Sequence, residues 1–186
     1  MRKKLWKLAL FAIPHAMILI ICLILVFSGA ASPFLNGFDV DSQGRLYVGE
    51  GKMLRIYQNG VQTDAIELES DSYRLAVDDN GNLIIAYPSV VYHMDKKGNV
   101  LEAKDDPLAK TFQALQYTDQ ITDETTQDEY KLVNKLGRTR IVKNDCEVVY
   151  KISLLSFAVK ILLAVCGISL FGNGILFVRH MRKERE

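Results

Sequence analysis

A chain of 186 residues with 49% hydrophobic residues, 24% charged residues and a formal net charge of +1 has the averages of an ordinary soluble protein. The averages hide a sorting: residues 8–38 and 161–178 contain no Lys, Arg, Asp or Glu, whereas residues 29–150 carry 13 basic and 20 acidic side chains, a net of −7. Such sorting excludes a simple soluble enzyme, a disordered chain and a nucleic-acid binder with a broad basic face.

The first element predicted is a membrane helix over 8–28. Its apolar core, Leu8 to Phe27, is 20 residues long, or about 30 Å as a helix, the thickness of bilayer hydrocarbon. Arg2, Lys3, Lys4 and Lys7 precede it, so residues 1–7 are expected on the cytoplasmic side. Ser28-Gly29-Ala30-Ala31 offers a rival, cleavage as a signal peptide after Ala30 or Ala31. The apolar stretch exceeds the usual signal-peptide core of roughly 7–15 residues, which favours an uncleaved anchor.

A second membrane helix is predicted over 152–178, with a charge-free core from Ile161 to Val178. Arg179, Arg182, Lys183 and Arg185 follow it, which places the tail 179–186 in the cytoplasm as well. Two spans require both termini on one side, and both basic clusters agree. Residues 33–150 are then extracytoplasmic. Within the spans, His15, Lys160 and Asn173 are candidate contacts with a partner helix, although each also suits a tolerated polar or snorkelling residue. Cys22 and Cys166 fall in the apolar blocks and Cys146 in a polar turn, so an internal disulfide in the outer segment is excluded.

The outer segment repeats itself. Phe38-Asp39-Val40-Asp41-Ser42-Gln43-Gly44-Arg45-Leu46-Tyr47-Val48 returns 37 residues later as Leu75-Ala76-Val77-Asp78-Asp79-Asn80-Gly81-Asn82-Leu83-Ile84-Ile85. Asp, polar residues and Gly supply tight turns, and the apolar runs after them read as short strands. Repeats are predicted over about 36–72, 73–104 and, faintly, 130–150, with an acidic insertion over 105–129. The fold class expected is two transmembrane α-helices flanking an all-β domain of antiparallel repeats. The two clear copies resemble blades of NHL-type and related bacterial β-propellers, over residues 34–104 well and 130–150 poorly. That resemblance implies a platform for binding proteins, carbohydrates or small ligands, and only sometimes an enzyme. Three repeats fall below the 4–8 blades of a closed propeller. An open set, an assembled ring and a compact sandwich all remain open.

Asp39, Asp41 and Gln43 form the one candidate metal site, resembling the start of a calcium loop; a plain β-turn is the competing reading. No catalytic residue, cofactor-binding motif or cofactor is predicted. Tyr47, Tyr57, Tyr73, Tyr87, Tyr92, Tyr117 and Tyr130 either line a binding face or half-bury in strands. The function expected is that of a membrane-anchored binding module, a sensor, adaptor or assembly subunit in a bacterial plasma membrane. An accessory subunit of a transporter and a cell-envelope hydrolase or lyase are the alternatives. Expected partners are the lipid bilayer and another membrane or envelope protein or a second copy, with no nucleic acid.

Overall fold

The computed structural model describes residues 2–182 apart from 79, 116 and 117, with side chains described for residue 10 and for 12–179 less those three. The elements in chain order are α1 (Arg2–Phe27), β1 (Gly37–Val40), β2 (Leu46–Glu50), β3 (Met53–Gln58), β4 (Val61–Glu67), β5 (Arg74–Val77), β6 (Leu83–Ala86), β7 (Val90–Met94) and β8 (Val100–Asp105). They continue with α2 (Lys110–Ala114), β9 (Gln120–Thr122), β10 (Glu129–Lys135), β11 (Arg138–Lys143), β12 (Glu147–Lys151) and α3 (Leu154–Arg182). Contacts separate a sheet unit, Phe34–Ile152, from a helical unit made of the residues on either side.

The sheet unit is three antiparallel meanders of four strands, β1–β4, β5–β8 and β9–β12, each paired in chain order. Its turns explain why. After β1, Oδ1 of Asp41 accepts the N–H groups of Gln43 and Arg45, both at 3.0 Å, and the backbone closes with Gly44 N–H on the Asp41 carbonyl at 2.9 Å. Asp78 does the same for Asn80, Asn82 and Gly81, and Asp95 for Lys97, Asn99 and Gly98. Each of these turns needs φ near +72° to +84° at its glycine, a region where a Cβ is strained. The Asp-x-x-Gly pattern is therefore a turn module used three times, twice between first and second strands and once between β7 and β8.

Register then sends alternate side chains into one core. Tyr47, Leu54 and Ile56 of the first sheet pack against Tyr73 and against Leu83 and Ile85 of the second. Leu54, Leu83 and Ile85 are fully buried, each contributing about 1.5–3 kcal/mol by leaving water. The first and third sheets are joined by Tyr150, whose hydroxyl donates to Glu50 Oε1 at 2.6 Å, while Arg55 Nε holds the other oxygen at 3.0 Å. The Tyr150 ring meets Tyr57 edge-on, with centroids 5.4 Å apart.

The third meander corrects the sequence reading. It begins at Gln120, inside the segment read as an insertion, which also holds α2. β9 is only three residues long, Gln-Ile-Thr, and has no apolar alternation to announce it. Asp128, at the foot of β10, lies 2.6 Å from Lys143 Nζ and accepts from Asn144 Nδ2 at 2.7 Å. The Lys143 ammonium, then Asn144 and Thr126, hold its carboxyl down at about 2, against 3.8 for a free aspartate. Because the folded value is the lower one, this contribution to stability is complete above pH 4–5 and disappears as pH falls towards 2. Asp128→Asn is expected to flatten the acid limb of a stability profile over that window, measured by denaturant titration at each pH.

In the helical unit, Ser153 caps α3, accepting the Ser156 N–H on its Oγ at 3.0 Å. Cys22, Ala31 and Val159 form the buried seam, with Leu25, Val26 and Leu163 packed on it. The remaining faces are apolar and exposed: Ile13, Met17, Ile20, Ile24 and Phe27 on α1, and Val165, Ile168, Phe171 and Leu176 on α3. Among the described residues, one helix is long and apolar enough to cross a membrane, Leu154–Arg179, and the apolar part of α1 is the shorter Ala12–Phe27.

Candidate functional site

The inner strands, β1 and β5, are each paired on one side only among the described residues and approach one another at their other edges. Those edges carry N–H and C=O groups that no ladder uses. Together with β9 and the end of α2 they enclose a cleft of about 360 Å³, lined by Asn36, Gly37, Phe38, Asp39, Arg74, Leu75, Ala76, Ala114, Leu115, Thr118 and Ile121. The volume lies within the range of small-molecule sites. Gly37 holds φ +144° at the start of β1, a conformation open to glycine alone, and Asn36 ties the segment down through bonds to the Gly51 and Asp71 carbonyls.

Two ionisable side chains stand in this cleft. Asp39 bridges the inner strands: its Oδ2 accepts the Val77 N–H at 2.7 Å and its Oδ1 accepts the Val40 N–H at 2.8 Å. Burial pushes its carboxyl above the usual aspartate value, outweighing those two N–H bonds, and the neighbouring Asp41 adds to the rise. Arg74 stacks its guanidinium over Phe112, 5.0 Å from the ring centroid. Among the described residues no carboxylate lies within ion-pairing distance of Arg74.

The calcium candidate is dispersed rather than assembled. Asp41 spends its oxygens on its own turn, on Arg45 Nε at 2.7 Å and on the Tyr47 hydroxyl at 3.1 Å. Burial works to raise its carboxyl, but the Arg45 backbone and guanidinium and the Gln43 N–H together hold it below the usual value. Asp39 is turned to Val77, and Gln43 is exposed. The physical reason is that the glycine turn brings backbone N–H donors to the carboxylate, not further oxygens. The described residues contain no group of three or more His, Cys, Asp or Glu placed to hold a metal ion.

The chain matches no protein-family model and no curated protein. Among solved structures it is similar to the crystal structure of a protein of unknown function from Bacteroides caccae, at 12% identity and a TM-score of 0.34. The match covers 64% of this chain and 46% of that one, so the chain spans less than half of that protein's length. A likeness so distant carries neither fold nor function.

Other positions singled out in the sequence fall elsewhere. Tyr47 and Tyr130 are buried strand residues, Tyr73 and Tyr87 are buried just outside β5 and β6, and Tyr117 lies outside the described residues. His15 and Lys160 are half-buried and each interacts within the protein, and Asn173 is half-buried on α3. Arg179 is exposed; Arg2, Lys3, Lys4, Lys7 and Arg182 lie on helices with side chains not described, and Lys183 and Arg185 are outside the described residues. Arg74 and Phe112 were not singled out. One signal was available: Arg74 occupies the place of Gly37 in the 37-residue repeat, and Ala76 the place of Asp39. Both charges of the cleft stand where the two copies disagree.

Proposed function

We propose that this chain is a membrane-anchored binding module, with α1 and α3 in the bilayer, both termini cytoplasmic and the sheet unit outside. The observation that carries the reading is the sorting of surfaces. The helical unit turns large apolar side chains outward on both helices, which in water would be an aggregation liability and in lipid is a requirement. The sheet unit instead carries the acidic excess and a cleft of ligand size. Each meander has the up-and-down strand order of a propeller blade, and three such blades are fewer than a closed propeller has. β8, exposed along its whole length, ends one sheet as an edge strand. A protein partner or a second copy covering that edge completes the proposal, and a sensor, adaptor or assembly role follows from it.

The cysteines test the placement directly. Cys146 is exposed in the sheet unit, while Cys22 and Cys166 are buried in the helical unit. A membrane-impermeant maleimide applied to intact cells is expected to label the protein once, at Cys146, and Cys146→Ser to abolish the label. Labelling that needs permeabilised cells would overturn the outside placement. Native mass analysis of the same detergent-purified sample reads the partner, and a bare single chain would remove that half of the proposal.

A further inference from the structure

We infer that the cleft between the inner strands takes a small organic carboxylate that also carries hydrogen-bond donors, an amino or hydroxy acid, gripped through Arg74 at its anionic end. The inference rests on the binding-module reading and names the ligand class for it.

The argument starts from charge. In a segment whose net charge is −7, a diffuse field repels anions, so an anion binds there only through a local cation. Arg74 is such a cation, lining the cleft with no described carboxylate paired to it. The Arg74 guanidinium lies 5.0 Å from the Phe112 ring centroid, and a guanidinium can pair a two-oxygen anion through two parallel N–H bonds. A lysine there would supply charge without the fork.

The rest of the cleft asks for donors. Each oxygen of Asp39 accepts one backbone N–H, at 2.8 and 2.7 Å, and retains a further lone pair. An apolar ligand would leave these groups desolvated and unpaired. Hydroxyls or an ammonium satisfy them. The cleft, about 360 Å³, has room for a molecule of monosaccharide size. The aliphatic parts of Leu75, Ala76, Leu115 and Ile121 would contact its carbon skeleton.

The test uses the full-length chain in detergent micelles, with amide NMR shifts of Leu75, Ala76 and Ile121 as the readout and gluconate, glutamate and glucose as probes. Gluconate or glutamate is expected to shift these amides, with glucose much weaker. Arg74→Gln is expected to weaken the binding by about tenfold or more, the worth of a charge-assisted hydrogen bond, and Arg74→Lys by less. Unchanged amide shifts away from the cleft show that the variants fold. Binding that Arg74→Gln leaves intact, or glucose binding as well as gluconate, overturns the carboxylate class but keeps the cleft as a binding site. No shift with any probe up to roughly 10 mM, well beyond the weak ~1 mM range, overturns the proposal and removes the cleft from the binding reading. The Cys146 labelling result stands apart from all three outcomes.

Discussion

Asp41→Ala is expected to lower the stability of the sheet unit by about 3 kcal/mol, because it removes an acceptor for several donors at once and strands a buried tyrosine hydroxyl. Asp41 is 2% exposed and Tyr47 fully buried. The Asp41 carboxylate holds the Gln43 and Arg45 N–H groups, the Arg45 guanidinium and the Tyr47 hydroxyl. The same turn recurs at Asp78 and Asp95, where the side-chain partner is an asparagine and the site is closer to solvent. Water can replace what those carboxylates provide. The expected order of losses is Asp41 well above Asp78, and Asp78 above Asp95, read from denaturant midpoints of the three alanine variants. Equal losses at all three would mean that the turn geometry, and not the burial of its partners, sets the cost.

Gly49→Ala is the second large effect, expected to destabilise by about 1–3 kcal/mol through overpacking. A Cβ built on Gly49 would lie 2.6 Å from the Tyr73 hydroxyl and 3.2 Å from the Asn36 Cβ. Tyr73 is 1% exposed and has no room to step aside. Its hydroxyl has no hydrogen-bond partner among the described residues, so Tyr73→Phe removes the nearest obstacle and a buried orphan, leaving the ring Cε2 at 3.2 Å. Tyr73→Phe alone is expected to be neutral or stabilising, and the double variant Gly49→Ala/Tyr73→Phe to recover most of the loss. A double variant no better than Gly49→Ala would show that the 3.2 Å contacts with Asn36 Cβ and the Tyr73 ring, not the hydroxyl, are the obstacle.

How much of this was legible in the sequence depended on whether local chemistry fixed it. The turns at Asp41 and Asp78 were readable because every bond that makes them lies within five residues, and the strands after them followed from the apolar runs. The third meander was legible only in its later strands. β9 has no pattern of its own and exists because Glu129, Tyr130 and Lys131 offer it an edge to pair with, a contact that no local rule announces. Asp39 is legible in the sequence only through its neighbours. Its neighbours in sequence suggested a metal loop, whereas its partner is Val77, 38 residues away. Arg74 looked like one strand-starting cation among many. Its meaning comes from the cleft, which the packing of three separate sheets creates, and only the mismatch with Gly37 in the repeat hinted at it.

The chain-order pairing of the twelve described strands has a kinetic consequence. Every ladder joins neighbours, so each meander can close while the next is still being made, without waiting for a distant strand, and such local topologies fold fast. The bond from Tyr150 to Glu50 spans 100 residues and cannot form until β12 is present. It acts as a late latch. Substitutions at Tyr150 should therefore speed unfolding and leave the folding rate nearly unchanged, whereas substitutions in the Asp41 turn should slow folding itself.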